Sequence, residues 1–151
     1  MAQSLCKIYI HIVFHIKSTS IPVNESDLPS LFAYIGGVLK KVNSTPVQIG
    51  GTENHVHVLC SLPKTMTLAK LVEEIKRNSS RWIKKKNPHY EKFAWQGGYG
   101  AFSVSASVIK ASSEYIKNQK QHHTLSTFRD ELLLFLKKYK IAHDERYLFT
   151  D

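Results

Sequence analysis

Glu53-Asn54-His55-Val56-His57-Val58-Leu59-Cys60-Ser61 decides how this chain folds. The run alternates like a β-strand, and strand side chains point to opposite faces in turn. His55 and His57 therefore share one face, with Glu53 beside them. Val56, Val58 and Cys60 take the other, the side a core requires. Two imidazoles about 7 Å apart along a strand, at the edge of a sheet, can close on one metal ion.

Working outward, Lys7 to Lys17 alternates in the same way. Ile8, Ile10, Ile12, Phe14 and Ile16 form an apolar face, and Lys7, Tyr9, His11, Val13 and His15 the opposite one. His11 and His15 read as structural or nucleic-acid-facing groups, not ligands. After a loop, Leu28 to Val42 carries a helical stripe. Gly36 and Gly37 interrupt it and suggest a close approach to a strand. Thr45 to Gly50 is a strand, and Gly50-Gly51 turns it into the histidine strand as a hairpin. Thr67 suits a helix N-cap. Leu68, Leu71, Val72, Ile75, Trp82 and Ile83 form the next apolar stripe, closed by Lys84-Lys85-Lys86.

Asn87 to Gly100 is an aromatic-bearing loop in which Trp95 and Tyr99 suit either core packing or base stacking. Phe102 to Ser105 is a further strand. Ser105 or Ser107 would cap a helix over about 107–121, with His122-His123 beyond its end. A last amphipathic helix spans about 127–140, with Phe128, Leu132, Phe135, Leu136 and Tyr139 inward. The order β-α-β-β-α-β followed by two helices predicts one α+β domain over 1–151. It is a ferredoxin-like antiparallel sheet with helices on one face, plus a C-terminal helical segment. The face carrying His55, His57 and His11 would be left open and polar.

Composition narrows the function. The formal charge is +9, from 21 Lys and Arg against 12 Asp and Glu, which favours a polyanionic partner. The two cysteines, Cys6 and Cys60, lie in apolar runs and read as reduced core residues, not a disulfide framework. No apolar run is long enough for a membrane span, and no secretory pattern opens the chain, so a cytoplasmic setting is expected. No Walker-type glycine loop points to nucleotide hydrolysis.

The second informative stretch is Glu114-Tyr115-Ile116-Lys117-Asn118-Gln119. On a helix, Tyr115 and Gln119 share a face, about 6 Å apart along the axis. Alone, Tyr115 would read as an ordinary half-buried helix residue, and a bare His-x-His is common. Together, His-x-His then Tyr-x-x-x-Gln, with "KIYIHIVFHIK", "TLAKLVEEIKRNSSRWI" and "WQGGYGAFSVS", resembles the single-tyrosine HUH transposases. These are the IS200-like (TnpA) transposases of bacterial and archaeal insertion sequences. The likeness spans nearly the whole chain. The first strand ends "KSTS", where relatives often carry a basic or aromatic signature.

The resemblance implies that His55, His57 and Gln119 bind a divalent metal, Mg²⁺ or Mn²⁺. It makes Tyr115 the nucleophile that cleaves single-stranded DNA as a 5′-phosphotyrosine. The freed 3′-hydroxyl rejoins strands without ATP. It implies hairpin-marked DNA ends as substrate, and a nucleoid-associated homodimer whose active sites can be shared between subunits. Neutral ligands would leave the cation its full charge beside the phosphate. Tyrosine titrates near pH 10 and needs activation, for which Lys117 is one candidate. Glu53 would support the metal from behind or face water. Lys76, Arg77, Arg81, Lys84, Lys85 and Lys86 are the candidate DNA contacts. Two other readings stay open: a domesticated relative that processes chromosomal repeat hairpins, and a non-catalytic nucleic-acid-binding module.

Overall fold

A computed structural model describes residues 2–119 and 127–144. Its elements are β1 (Tyr9–His15), α1 (Leu28–Lys41), β2 (Pro46–Thr52), β3 (His55–Ser61), α2 (Leu68–Lys86), β4 (Gly100–Val104), α3 (Ile109–Lys117) and α4 (Phe128–Lys138). The strands form one antiparallel sheet in the order β2-β3-β1-β4. This is the α+β ferredoxin-like arrangement that the β-α-β-β-α-β order predicts. The histidine strand β3 is not at the edge, however. It lies between β2 and β1, with His57 opposite Val13 and His55 opposite His15.

One face of the sheet packs on α1 and α2. Ile10, Ile12 and Phe14 of β1 join Val56, Val58 and Cys60 of β3 against Leu31, Ile35, Leu39, Leu71, Ile75 and Ile83. Each such side chain contributes about 1.5–3 kcal/mol by leaving water. Thr67 caps α2 as its residue type predicts, its Oγ1 accepting from the Lys70 N–H at 3.1 Å. Trp95 belongs to this core and donates its indole N–H to Ser79 Oγ at 3.0 Å, whereas Tyr99 is exposed.

The other face is not left open. α3 lies over β2 and β3 through Ile116, beside Leu59 and Val104. α4 lies over β1 and β4, with Leu132 and Leu136 against Val13 and Phe102. The alternation correctly marks this face as polar, but it carries enough apolar residues (Val13, Leu59, Phe102, Val104) to hold two helices.

Three smaller expectations change. Cys6 is exposed, because it precedes the first strand; Cys60 is buried. The serines do not cap α3: Ser105 and Ser107 bond each other (2.9 Å), a one-turn 3₁₀ segment spans Ala106–Val108, and α3 begins at Ile109. The close approach is not at Gly36, where a Cβ would meet Ile49 at an ordinary 3.6 Å, nor at Gly37, which faces open space. It is at Gly50 in β2, where a Cβ would stand 2.5 Å from the carbonyl oxygen of Ile116. Gly51 alongside has φ +152°, which suits glycine. His122, His123 and the helix expected to run to 121 lie partly or wholly outside the described residues.

Candidate metal and nucleophile centre

The gap between α3 and α4 gathers five polar side chains over the middle of β1 and β3. His57 is 0% exposed, Gln119 1%, His55 2%, His11 3% and Glu131 5%. Burial of so many polar groups is tolerable only where polar partners stand close by, and each of these has one. His57 sits centrally, its Nδ1 2.7 Å from His11 Nε2 and its Nε2 2.7 Å from Glu131 Oε1. His55 Nε2 stands 3.2 Å from Gln119 Oε1. On its far side His55 Nδ1 is 2.8 Å from Asn54 Oδ1 and 3.0 Å from Thr52 Oγ1. Amide oxygens face both ring nitrogens and can only accept, so neutral His55 donates to one of them alone. With the proton on Nδ1, the Nε2 lone pair would face Gln119 Oε1, an opposition that a cation between the two would relieve.

Tyr115 enters from α3, four residues before Gln119. Its ring lies 6.1 Å from that of His57 and 5.9 Å from Phe135 on α4. Burial pushes the phenol above its ordinary pKa, and the Glu131 charge raises it further; Gln119 bonds it in the opposing sense. Burial likewise lowers His11 to about 3, helped by His57 and opposed by Glu131. His11 is therefore a neutral ring that can donate to or accept from His57.

The donors suit a metal. One ligand atom each from His55, His57 and Glu131 lie within 4.8 Å of one another, and Gln119 Oε1 adds a fourth. Donors bonded to one cation at about 2.0–2.2 Å stand at most about 4.4 Å apart. Drawing the donors together around an ion would close the set. His55, His57 and Glu131 could thus hold a divalent ion.

Of the residues singled out from sequence, His55, His57, Tyr115 and Gln119 meet in one place. Glu53 does not join them: it is exposed in the β2–β3 turn, and its backbone carbonyl accepts from Val23 N–H at 2.9 Å. Lys117 is exposed, two positions from Tyr115 and so not on its helix face. The basic residues of α2 lie across the sheet from the histidines. There Lys76 donates to the carbonyls of Gln96 (2.9 Å) and Gly98 (2.7 Å), and half-burial lowers its pKa to about 8. Arg77 pairs with Glu73 and Glu74, while Arg81, Lys84, Lys85 and Lys86 are exposed.

Two members of the centre escape a sequence reading. Glu131 is one, though a signal exists: it occupies the inward stripe of α4, three residues after Phe128 and four before Phe135, where an acid is out of place. His11 is the other, because its face of β1 reads as solvent-facing until α4 covers it.

The sequence pattern of the family described as "Transposase IS200 like" matches residues 4–119. Two solved structures share the fold. A putative transposase from Deinococcus radiodurans R1 is 19% identical with TM-score 0.59, over 79% of this chain and 98% of that one. A REP-associated tyrosine transposase bound to a REP hairpin is 14% identical with TM-score 0.59, over 100% of this chain and 96% of that one. No curated protein matches the chain. Among the described residues no helix is long and apolar enough to cross a membrane.

Proposed function

Because the chain belongs to the IS200-like transposase family, we propose that it cuts and rejoins single-stranded DNA with Tyr115 as nucleophile. The observation that carries the reading is convergence: Tyr115 of α3 and Gln119, just past the end of that helix, meet His55 and His57 of β3 in one buried centre. Tyr115 Oη attacks a backbone phosphorus, the P–O3′ bond breaks, and the strand is left as a 5′-phosphotyrosine with a free 3′-hydroxyl. That hydroxyl later attacks an equivalent linkage and regenerates the phenol. No bond energy is lost between the steps, so no nucleotide hydrolysis is needed.

His55, His57 and Gln119 would hold a Mg²⁺ or Mn²⁺ ion, with Glu131 beside them. When bound, the cation supplies charge to the scissile phosphate and orients it in line. The residues do the rest. Glu131 hydrogen-bonds the phenol and accepts its proton as the attack begins, a role that suits it better than the exposed Lys117. His11 backs His57, holding its ring as the partner of Nδ1. Asn54 does the same for His55.

The substrate is single-stranded DNA with hairpin-marked ends, in the cytoplasm of a bacterium or archaeon. The exposed Arg81 and Lys84–Lys86 would meet its duplex part. The geometry favours a centre completed within one chain over one shared across a homodimer, because both contributions already meet.

The test is incubation of hairpin-bearing single strands with flanking random sequence and Mn²⁺, then a denaturing gel. Wild type is expected to give protein-linked DNA. Tyr115→Phe gives none while still shifting the strand in a native gel, and an adduct from that variant removes the assignment. His57→Ala loses metal-dependent cleavage; unchanged cleavage would refute the metal role. Mixing Tyr115→Phe with His57→Ala restores nothing if each chain completes its own centre. Recovery of activity in the mixture would establish sharing.

A second reading keeps the chemistry and changes the task, to processing chromosomal repeat hairpins. The structure bound to a REP hairpin matches over the whole chain, α4 included, whereas the Deinococcus structure matches over 79%. Preference for dispersed repeat hairpins over element ends would select it.

A further inference from the structure

A cleft of about 570 Å³ runs between α3 and α4, and the strand-transfer chemistry does not account for its shape. Tyr115, Glu131 and His11 form its inner end. Its walls are apolar and aromatic, with Phe135 and Tyr139 on the α4 side. Its lips are Val108, 46% exposed, and Leu134, 67% exposed, two large apolar side chains left in water. Lys138 stands at the rim, its ammonium 5.7 Å from the centre of the Tyr139 ring.

We infer that this cleft seats one unpaired base of the DNA strand, the base next to the phosphate that Tyr115 attacks. The inference rests on the strand-transfer reading and says where the strand lies. Three observations carry it. The cleft ends on the phenol, so the nucleotide joined to the reacting phosphate has to enter it or lie across its mouth. The volume falls in the range of small-ligand pockets, roughly 300–1,000 Å³, which admits a base and excludes a duplex. The lining combines a flat aromatic side with one cation at the rim, the pairing that proteins use to stack bases and track a phosphate backbone without reading sequence. Tyr139 is held for this purpose: its hydroxyl donates to the Ser103 carbonyl at 3.0 Å, which fixes the ring against β4. The exposed lips then gain a function, since a stacked base would cover them.

The experiment uses the full chain and the strand that wild type captures from the hairpin pool, resynthesised with one abasic site at each position around the cut. One of the two nucleotides flanking the cut is expected to show a rise in half-saturating strand concentration of roughly tenfold or more, with little change elsewhere. Leu134→Asp, at a position 67% exposed and so outside the core, should abolish most of that positional penalty. In Tyr115→Phe, which holds the strand uncut, 2-aminopurine at the same position should be quenched on binding. Normal adduct formation with every abasic strand overturns the cleft assignment and leaves the chemistry standing. Positional quenching in a protein that never forms an adduct does the reverse. If Leu134→Asp instead converts a dimer to monomers in sedimentation, the lips belong to a subunit interface and the inference falls.

Discussion

β1 and β3 each present two faces, one residue out of phase, and the two are built on opposite principles. Toward α1 and α2 the strands offer Ile10, Ile12, Phe14, Val56, Val58 and Cys60, which join one apolar core. Toward α3 and α4 they offer His11, His55 and His57, equally buried but with polar partners: His11 against His57, His57 against Glu131 and His55 against Gln119. Non-directional packing tolerates small errors of position. A buried polar network does not, because each unpaired group costs about 1–3 kcal/mol. The first face therefore sets stability, and the second uses that stability to hold reactive groups out of water.

The largest expected effect tests this division from the packed side. Phe14 is fully buried, edge-on to Trp95 with ring centres 4.8 Å apart. Phe14→Ala should cost about 3–5 kcal/mol in denaturant unfolding. Strand cleavage per folded molecule should change little. Loss of cleavage at a temperature where the variant is still folded would show that the two faces are not separable.

The next effect crosses from scaffold to chemistry. Gly50 lets the end of α3 rest on β2, because a Cβ there would stand 2.5 Å from the Ile116 carbonyl oxygen. Backbone cannot yield as a side-chain tip can, so Gly50→Ala should lift α3 and carry Tyr115 and Gln119 with it. A displacement near 1 Å in a reacting group costs on the order of 100-fold in rate. Adduct formation should fall by about that factor with the unfolding midpoint nearly unchanged. Wild-type rates in Gly50→Ala would mean that α3 is positioned by something else.

The same contrast explains what the sequence disclosed. Period-two alternation in β1 and β3 marks both faces, because every strand residue reports its side. Helical spacing brings Tyr115 and Gln119 together, because four residues make about one turn. Position in the sheet was not legible: nothing local to residues 53–61 says that β1 and β2 will flank that strand. The cover over the histidines was not legible either, since Val13, Leu59, Phe102 and Val104 reach the polar face from three different strands. Glu131 was missed for a related reason. An acid on an apolar stripe is a visible anomaly, but its meaning needs its partner, and His57 lies 74 positions away in sequence. Lys76 has a role that its place in a basic run does not disclose: its ammonium holds the loop carbonyls of Gln96 and Gly98.

The smallest effect is a pH dependence that only the polar face can produce. His11 in the folded chain titrates at about 3, because burial opposes its charge and His57 adds to the opposition, while Glu131 favours it less strongly. In the unfolded chain it titrates near 6.5. Above 6.5 neither state binds the proton and His11 contributes no slope. Between the two values the unfolded chain binds it and the folded chain refuses it, so stability falls as the pH falls. The slope approaches about 1.4 kcal/mol per pH unit for one proton. Other groups titrate in the same window, so the difference between proteins is the measurement. His11→Asn keeps a polar partner for His57 and does not titrate. Wild type should lose stability relative to this variant between pH 6.5 and pH 4.5 in urea unfolding, and run parallel to it above pH 7. A constant difference across that range would mean that the histidine is protonated as easily in the folded chain as outside it, and the polar face would then be wetter than its burial implies.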